Sequence, residues 1–399
     1  MKLLYLVADG MGGWPLKELG GKTTMEAAHT PHMDELARTG MVGRARTVPQ
    51  GMAPGSDVAN MSLLGFDPAS HHTGRGPIEA AAQGLVLDPD DLVWRLNLVT
   101  VTSLDIDGIM RDYSSAHIAT EVSRPIIETL QQKLGNETYV FYPGVQYRHL
   151  LVQKGGALTD DAGLLINPPH DITDKSIKYD LRALSRSAPL WDLVFEAADL
   201  LADRTVNTSA ANSVWPWGQG RPLMLPDFGD TFGLRGAVIS AVDLIKGLGN
   251  ASGMRVLDIE GATGLLDTNY QGKVDAALDF LKDHDFAFVH LEGPDECGHG
   301  GNAADKVEAI SRFDARVVAP LRAALKGQDV GFIITCDHFT PIVERTHTTD
   351  PVPFIIHGPG CPASGVDGFS EATADSTGLL LDKGFELLPF AMKTLGIGQ

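Results

Sequence analysis

The stretch PGSDVANMSLLGFDP, residues 54–68, places a serine at the start of a predicted helix. Ser56 follows a proline- and glycine-rich run and precedes an apolar helical pattern. A serine at this position commonly caps the helix, because its side chain accepts a hydrogen bond from an unpartnered backbone N–H group. The position also suits a nucleophile, since helix-end donors attract an anion and a bound cation lowers the pKa of a hydroxyl.

Aspartate and histidine recur elsewhere in the chain at spacings typical of metal ligands. Asp295 and His299 are four residues apart, so a helical turn directs both side chains toward the same ion. Any one of these residues is as often a turn former or a surface histidine as a ligand, so the prediction rests on the whole set. The candidate ligands are Asp9, Asp295, His299, Asp337, His338 and His347.

Carboxylate and imidazole ligands together favour divalent ions such as Mn²⁺ or Zn²⁺ over Ca²⁺. Six candidates exceed what one catalytic ion needs, so the set predicts two ions. Paired ions clamp the attacking and leaving oxygens of an in-line phosphoryl displacement. A site of this kind favours the interpretation of Ser56 as a nucleophile that becomes a phosphoserine, and a capping role is compatible with it.

Four apolar runs are predicted to be the strands that position these residues. Three of them lead directly into segments that contain Asp or His, and the fourth lies just beyond such a segment. Alternation of strands with helical stretches, such as residues 303–325, predicts an α/β fold with a mostly parallel sheet flanked by helices, whose sites lie at the carboxyl ends of the strands. The predicted strands are residues 2–8, 286–291, 330–335 and 353–357.

The middle of the chain has a different pattern and is predicted to be a second, smaller α/β domain inserted into the first. Residues 89–228 contain strand-like segments and an aromatic, glycine-rich stretch, SVWPWGQGRP, without Asp/His clusters of the metal-binding type. The core domain is then discontinuous, with residues 1–88 and 229–399. The strand-like segments are residues 93–101, 138–142 and 147–152.

Composition excludes several other classes of protein. The chain has 399 residues and a formal net charge of −19, which argues against a nucleic-acid or anionic-membrane partner. Its three cysteines imply no disulfide framework and fit a reducing cytoplasm. The apolar run at the N-terminus is shorter than a signal-peptide core or a membrane span. We expect a cytoplasmic protein; its oligomeric state is left open.

Ten segments, the stretch around Ser56 among them, occur in the order found in one family. Together they resemble the cofactor-independent phosphoglycerate mutases of the archaeal type, within the alkaline phosphatase superfamily, over essentially the whole chain. The segments are ADGMGG, GKTTMEAAHTPHMDELARTG, APGSDVANMSLLGFDP, GRGPIEA, YRHLLV, WPWGQG, GATGLLDTNYQGKVDAAL, PDECGHGGN, TCDHFTP and HTTDPVP.

The resemblance implies an alkaline-phosphatase-like core, an inserted substrate-handling domain and two metal ions, with Mn²⁺ first and Zn²⁺, Co²⁺ or Mg²⁺ as alternatives. It implies the interconversion of 3-phosphoglycerate and 2-phosphoglycerate in glycolysis and gluconeogenesis through phospho-Ser56, without 2,3-bisphosphoglycerate. Carried over by motif, one ion is held by Asp9, Ser56, Asp337 and His338, and the other by Asp295, His299 and His347.

Such a mutase must retain glycerate while water is excluded, because water would hydrolyse the phosphoserine. Cations must therefore hold the substrate carboxylate, and an arginine fork suits this task best. The predicted substrate-binding residues are His117, Arg148, Arg221 and Lys273, with Arg204 as a further candidate.

The chain departs from the usual family pattern at four places around these motifs, without losing a predicted ligand. The departures leave open a phosphatase, or another phosphomutase or phosphonate-acting enzyme, on the same core. A non-catalytic metabolite- or partner-binding relative is a third hypothesis, against which the complete ligand set argues. The four places are Gly13-Trp14, Asn60, Gly300 and Phe339.

Overall fold

The computed structural model describes residues 1–398, and the chain divides into two compact units. Unit 1 comprises Met1–His72 and the chain from Met224 onward, and unit 2 comprises Thr73–Leu223. The strands are β1 Lys2–Ala8, β2 Met41–Ala45, β3 Leu92–Val101, β4 Met110–Asp112, β5 Tyr139–Val145, β6 Arg148–Gln153, β7 Ser213–Gly220, β8 Gly236–Ile239, β9 Arg255–Val256, β10 Phe286–Leu291, β11 Val330–Thr335, β12 Val352–His357 and β13 Leu380–Leu381.

Helices connect these strands in both units. They are α1 Thr24–Ala27, α2 Pro31–Thr39, α3 Ser56–Leu63, α4 Pro68–His71, α5 Arg75–Ala82, α6 Thr120–Leu134, α7 Lys178–Leu184, α8 Ala188–Ala202, α9 Phe228–Phe232, α10 Asp243–Ala251, α11 Tyr270–Phe280, α12 Gly293–Gly300, α13 Ala303–Phe313, α14 Ala319–Ala324, α15 Glu371–Ser376 and α16 Leu387–Leu395. The helix predicted over residues 303–325 forms as α13 and α14, joined by a π-helical turn, Asp314–Val318.

Unit 1 is built on a mostly parallel sheet with the strand order β13-β2-β12-β11-β1-β10-β8-β9 in the described part of the chain. The central strands β8, β10, β1 and β11 are parallel neighbours. Nearly every residue of these strands is buried, because helices cover both faces of a parallel sheet, and this explains their continuous apolar runs. The α/β prediction and the four predicted strands are confirmed.

β12 runs antiparallel to β11, unlike the central strands. An antiparallel strand begins at the edge where its neighbour ends, so the segment between β11 and β12 stays at the carboxyl edge of β11. This geometry keeps His347, which lies in that segment, beside the residues that follow β11.

Unit 2 is built on an antiparallel sheet in which β3 is paired with β4, β6 and β7. Its core contains side chains from the sheet and from α6 and α8, among them Leu96, Ile127 and Val194. The SVWPWGQGRP stretch contributes β7, which the sequence analysis does not predict as a strand. Trp215 and Trp217 of this strand are buried in the core, as expected for packing residues.

The structural boundaries of unit 2 lie earlier in the chain than the predicted boundaries of 89–228. The first is earlier because α5 packs against β3 and β7 and therefore belongs to unit 2. The second boundary is earlier because α9 belongs to unit 1, where Phe228 packs against Phe286.

Within residues 1–398, none of the helices combines the length and hydrophobicity that crossing a bilayer requires.

Candidate functional site

The carboxyl ends of three neighbouring strands in unit 1 carry the predicted ligands. β10, β1 and β11 lie side by side and parallel, so their carboxyl ends share one edge of the sheet. Asp9 directly follows β1, and Asp337 and His338 lie just beyond β11. β10 leads into α12, which carries Asp295 and His299 on successive turns. The topology therefore gathers residues that are more than 300 positions apart in the chain.

Asp9, His290 and Asp337 form one buried group, whose candidate ligand atoms lie within 4.8 Å of one another. His290 Nε2 lies 3.1 Å from Asp9 Oδ2. The backbone N–H of Gly10 donates to Asp337 Oδ1 at 3.0 Å and so orients that carboxylate. Two carboxylates and one imidazole form a donor set suited to a divalent transition-metal ion.

Asp295, His338 and His347 form a second group with the same spread of ligand atoms. His347 Nε2 lies 3.6 Å from Asp295 Oδ1. His299 joins this group at its exposed side, where its Nε2 lies 3.2 Å from Asp295 Oδ2 and 2.9 Å from His347 Nε2. The three residues that the resemblance assigns to one ion are therefore close together.

His338 contacts both groups. Its Nε2 lies 3.3 Å from Asp337 Oδ2 and 3.5 Å from Asp9 Oδ1, while it also belongs to the cluster with Asp295. Thr340 Oγ1 lies 3.2 Å from His338 Nδ1 and also donates to Asp295 Oδ1. The assignment of His338 to one particular ion stays a prediction, and Thr340 is a supporting residue that the sequence analysis does not identify.

Ser56 is the first residue of α3, and Gly55 occupies the N-cap position. The interpretation of Ser56 as the capping residue is therefore wrong. Its Oγ instead lies 3.1 Å from His338 Nε2. Asn60, one turn later, donates from Nδ2 to Ser56 O at 2.9 Å and to Asp337 Oδ2 at 2.8 Å. The helix start thus holds the Ser56 hydroxyl against the Asp/His groups.

The electrostatics of the site reflect several carboxylates buried together. Burial raises the pKa of Asp9 well above its ordinary value, and the charges of Asp337 and Asp295 raise it further. Burial likewise raises the pKa of Glu292 to about 8, with Glu296 and Asp295 adding to the effect. These carboxyl groups repel one another in a poorly solvated site, which a divalent cation would relieve.

The pKa values of the histidines in the site shift in opposite directions. Burial lowers the pKa of His290 to about 4 and also lowers that of His338, so both imidazoles are neutral at pH 7 and free to act as ligands. The hydrogen bond with Asp295 raises the pKa of His299 to about 9. A cation at Asp295 would therefore displace a proton from His299 when it binds.

One unpaired atom supports the fit of this site to metal ions. Among residues 1–398, Asp9 Oδ1 is buried and has no hydrogen-bond partner. An unpartnered carboxylate oxygen is costly in the interior of a protein, whereas coordination to a cation would satisfy it. The donor chemistry of the two groups and this orphan oxygen both fit divalent ions.

His290 is the site residue that the sequence analysis misses. It is the fifth residue of the apolar run FAFVHL, and there it is counted only as part of a strand. The available signal is the presence of an ionisable side chain in an otherwise apolar strand one residue before its carboxyl end. His290 Nδ1 lies 3.2 Å from Ser240 Oγ, whereas its buried Nε2, 3.1 Å from Asp9 Oδ2, has no hydrogen-bond partner among the described residues and is available to a metal ion.

Lys273 is the predicted substrate-binding residue that lies near this centre. Its buried Nζ donates to the backbone oxygen of His290 at 2.9 Å. Burial lowers the pKa of Lys273 to about 8, and the charge of Glu292 opposes that shift. α11 carries Lys273 and packs against β10, which explains how its side chain reaches the carboxyl half of that strand.

His117 and Arg148 come together in unit 2 around Tyr147. The ring centroids of His117 and Tyr147 are 6.2 Å apart, and the Arg148 guanidinium lies 5.5 Å from the Tyr147 ring centroid. Arg95, which the sequence analysis does not identify, lies 4.4 Å from the Trp217 ring centroid and pairs with a glutamate. Its Nε is buried without a hydrogen-bond partner among the described residues.

Arg221 and Arg204 have main-chain partners instead. Arg221 donates to the carbonyl oxygens of Pro89 and Ala157 and forms an ion pair with Asp90. Arg204 donates to the carbonyl oxygen of Ser209 in its own loop. These contacts occupy both guanidinium groups with loop-stabilising interactions, and a substrate role for either residue stays a prediction.

Comparison with known proteins gives a consistent result. A family model described as 2,3-bisphosphoglycerate-independent phosphoglycerate mutase matches residues 37–207. A Geobacter sulfurreducens protein named as a probable enzyme of that kind is 45% identical over 97% of this chain and 98% of its own length. The Methanosarcina barkeri protein of the same name, without that qualifier, is 44% identical over 98% of this chain and all of its own.

Two solved structures agree with the fold. A Pyrococcus horikoshii protein has a TM-score of 0.83 and 29% identity, over 100% of this chain and 98% of its own. A cofactor-independent phosphoglycerate mutase from Thermoplasma acidophilum has a TM-score of 0.67 and 26% identity, over 99% of this chain and all of its own.

Proposed function

The chain belongs to the family of 2,3-bisphosphoglycerate-independent phosphoglycerate mutases, and from that premise we propose that it transfers a phosphoryl group through Ser56. The overall reaction interconverts 3-phosphoglycerate and 2-phosphoglycerate, which makes the protein an isomerase. The observation that carries this proposal is the Ser56 hydroxyl at the start of α3, 3.1 Å from His338 Nε2 and beside two Asp/His groups.

Two divalent ions complete the centre in this proposal, with Mn²⁺ as the expected metal. When bound, they supply a lowered pKa for the Ser56 hydroxyl and neutralise the charge of the phosphoryl oxygens. The ligands of the first ion are drawn from Asp9, Ser56, His290, Asp337 and His338, and those of the second from Asp295, His299, His338 and His347.

The Ser56 hydroxyl loses its proton as Oγ attacks phosphorus, and the 3-oxygen of glycerate takes up a proton as its bond to phosphorus breaks. Glycerate reorients, its 2-hydroxyl loses a proton and attacks the phosphoserine, the bond between phosphorus and Ser56 Oγ breaks, and Oγ takes up a proton to regenerate the hydroxyl. The N–H groups of the first turn of α3, which begins at Ser56, would favour the negative charge of a phosphoryl group on that residue. Asn60 keeps this helix start fixed relative to Asp337 through its two hydrogen bonds.

The predicted substrate-binding residues are cationic, and each is assigned a role within its own unit. Lys273 serves at the metal centre, while His117 and Arg148 of unit 2 serve as donors to the anionic substrate. The clustering of His117 and Arg148 on Tyr147 supports this assignment, and the buried guanidinium of Arg95 adds a further cation to the same group of side chains. Retention of glycerate and exclusion of water would separate this mutase from a phosphatase.

The test supplies 3-phosphoglycerate and Mn²⁺ to the purified protein, in the absence of 2,3-bisphosphoglycerate. Formation of 2-phosphoglycerate is followed through enolase, and free phosphate is assayed in the same reaction. Ser56→Ala and a chelator serve as controls. We expect isomerisation without phosphate release, lost in both controls.

Phosphate release without isomerisation would replace the mutase assignment with a phosphatase on the same centre. Isomerisation that persists in Ser56→Ala would overturn the role of Ser56 while leaving the mutase activity. Full activity of chelator-treated, metal-free protein would overturn the metal centre.

A further inference from the structure

The peptide group between Gly12 and Gly13 lies between two oppositely charged side chains. The carbonyl oxygen of Gly12 accepts from Lys306 Nζ at 3.0 Å. The N–H of Gly13, which belongs to the same peptide group, donates to Glu371 Oε1 at 3.0 Å. A cation at the carbonyl and an anion at the N–H both match the peptide dipole, so the three groups form one charge-assisted bridge. This peptide lies three residues after Asp9.

Lys306 also connects this peptide to the loop that follows β11. Its Nζ makes a second bond, to the carbonyl oxygen of Thr340, at 2.8 Å. The side chain of Thr340 contacts both Asp295 and His338. One ammonium group from α13 therefore joins the loop behind Asp9 to the loop that carries Asp337 and His338.

Glu371 fixes the same peptide from the other side of the loop. Its second oxygen accepts from Thr23 Oγ1 at 2.7 Å, and Thr23 is the N-cap residue of α1. Glu371 is the first residue of α15, so its carboxylate is anchored between two helix starts. The loop behind Asp9 thus has a fixed donor on one side and a fixed acceptor on the other.

Burying these charges is costly. The Lys306 side chain has 0% exposure, and an apolar side chain of similar length would avoid the loss of hydration. The partners of Lys306 are backbone carbonyls in the two loops that carry metal-ligand candidates, and an amine fixes these carbonyls at hydrogen-bond distance while a methyl group cannot.

We propose that Lys306 and Glu371 are positioning residues of the metal centre, which clamp the Gly12–Gly13 peptide and thereby fix Asp9 relative to Asp337 and His338. This inference rests on the proposed metal centre. It assigns neither residue to contact with substrate or metal. Residues that orient ligands contribute to metal affinity, and their loss typically weakens binding about 10- to 100-fold.

The experiment compares Lys306→Met and Glu371→Gln with Asp314→Asn as a matched control. Asp314 is another fully buried charged residue of unit 1, and its carboxylate accepts from the backbone N–H groups of His32 and Met33 at the start of α2. We expect Asp314→Asn to lower the melting temperature without displacing the loop behind Asp9 or the loop that carries Asp337 and His338.

Two readouts are measured in all variants. Mn²⁺ affinity is obtained from the free Mn²⁺ signal in electron paramagnetic resonance titrations. Hydrogen–deuterium exchange of the segment that contains residues 9–16 is followed by mass spectrometry in metal-free protein, together with the melting temperature.

We expect Lys306→Met to raise the Mn²⁺ dissociation constant about 10- to 100-fold and to accelerate exchange of this segment about tenfold or more. Glu371→Gln should raise the Mn²⁺ dissociation constant and the exchange rate by a smaller factor, about three- to tenfold, because glutamine retains a neutral acceptor. The double variant should lose less than the product of the two single effects, since no buried charge is then left unpaired.

The outcomes separate the clamp from the proposed function. Lys306→Met could leave Mn²⁺ affinity and exchange unchanged and lower only the melting temperature, as in Asp314→Asn. That result would refute the positioning role and show that the bridge contributes only to stability. If Lys306→Met does not fold, Glu371→Gln decides by the same two criteria. If the unmodified protein binds no Mn²⁺, the proposed centre fails, while faster exchange in the metal-free variants would still support the clamp.

Discussion

His290 lies inside an apolar strand, and its surroundings decide what the side chain does. The sequence analysis identifies ligands such as Asp9 and Asp337 because each closely follows a continuous apolar run. His290 breaks the run itself, one residue before the end of β10, and periodicity treats it as a core position. Only the parallel pairing of β1 with β10, which places His290 beside Val7, shows that it faces Asp9.

At this scale we expect His290→Ala to weaken metal binding. The variant removes an imidazole whose ring nitrogen lies 3.1 Å from Asp9 Oδ2, and the Mn²⁺ dissociation constant should rise by about tenfold or more. The measurement is a Mn²⁺ titration of the variant and the unmodified protein at one pH.

His357→Ala is the matched control for this prediction. His357 ends β12, which is antiparallel to β11, and pairs with Phe332 in the first half of β11, away from its carboxyl end. Its substitution should leave Mn²⁺ affinity within about twofold. Equal losses in the two variants would show that His290 contributes only to stability.

At the scale of elements, the site depends on how closely two loops approach. Gly12 packs directly against the ring of Phe339, one of the positions at which the chain departs from the usual family pattern. A Cβ atom on Gly12 would lie 2.2 Å from the nearest ring atom, a distance that requires a shift. A Cβ atom on the neighbouring Gly13 would meet atoms only at 3.7 Å or beyond.

Gly12→Ala should therefore displace the loop behind Asp9, whereas Gly13→Ala should be tolerated. Overpacking of this kind costs about 1–3 kcal/mol of the free energy of unfolding. Denaturant unfolding and Mn²⁺ titration of the two variants measure the effect. We expect losses in both for Gly12→Ala and values close to the unmodified protein for Gly13→Ala.

Equal free energies of unfolding and equal Mn²⁺ affinities in the two alanine variants would contradict this account of the contact between Gly12 and Phe339. The pair is informative because both substitutions add the same single carbon atom at adjacent positions.

The elements of unit 1 were more predictable than those of unit 2. Buried parallel strands are continuous apolar runs, so β1, β10, β11 and β12 could be predicted from the sequence. β7 contains Pro216 and three glycine or glutamine positions that indicate a loop. In the described pairings β7 lies along one side of β3, and proline is tolerated in a strand at such an edge.

At the scale of the whole molecule, two units with separate cores share one chain. Long-range pairing decides where the chain passes from one unit to the other, and a local pattern carries no such information for α5, which packs on strands later in the chain. Tryptophan is unevenly distributed between the units. Four of the five tryptophans lie in unit 2, namely Trp94, Trp191, Trp215 and Trp217. Tryptophan fluorescence therefore mainly reports the unfolding of that unit.

We expect acid to destabilise unit 2 through His149. Burial, together with the charge of Arg124, lowers the pKa of His149 from 6.5 to about 3. The unfolded chain then binds a proton below pH 6.5 that the folded unit binds only near pH 3, so stability is complete above the unfolded-state pKa and falls as the pH decreases. The loss between roughly pH 8 and pH 5 is about 2 kcal/mol.

His149→Asn tests this origin of the pH dependence. Asparagine cannot titrate, and its side-chain oxygen can replace Nδ1 as the acceptor for the Gly144 N–H, which lies at 3.0 Å. The free energy of unfolding is measured in urea by tryptophan fluorescence. From pH 8 to pH 5 it should fall by about 2 kcal/mol more in the unmodified protein than in the variant. Parallel pH profiles would show that His149 is not responsible.

The covalent state of Ser56 during turnover tests the central claim most directly. The protein is incubated with 3-phosphoglycerate and Mn²⁺, quenched in acid and digested, and the phosphorylated peptides are identified by mass spectrometry. The account predicts phosphate on the peptide that contains Ser56, absent in Ser56→Ala and in chelator-treated protein. Isomerisation at full rate with no phosphate on that peptide, or phosphate on a different residue, would contradict it.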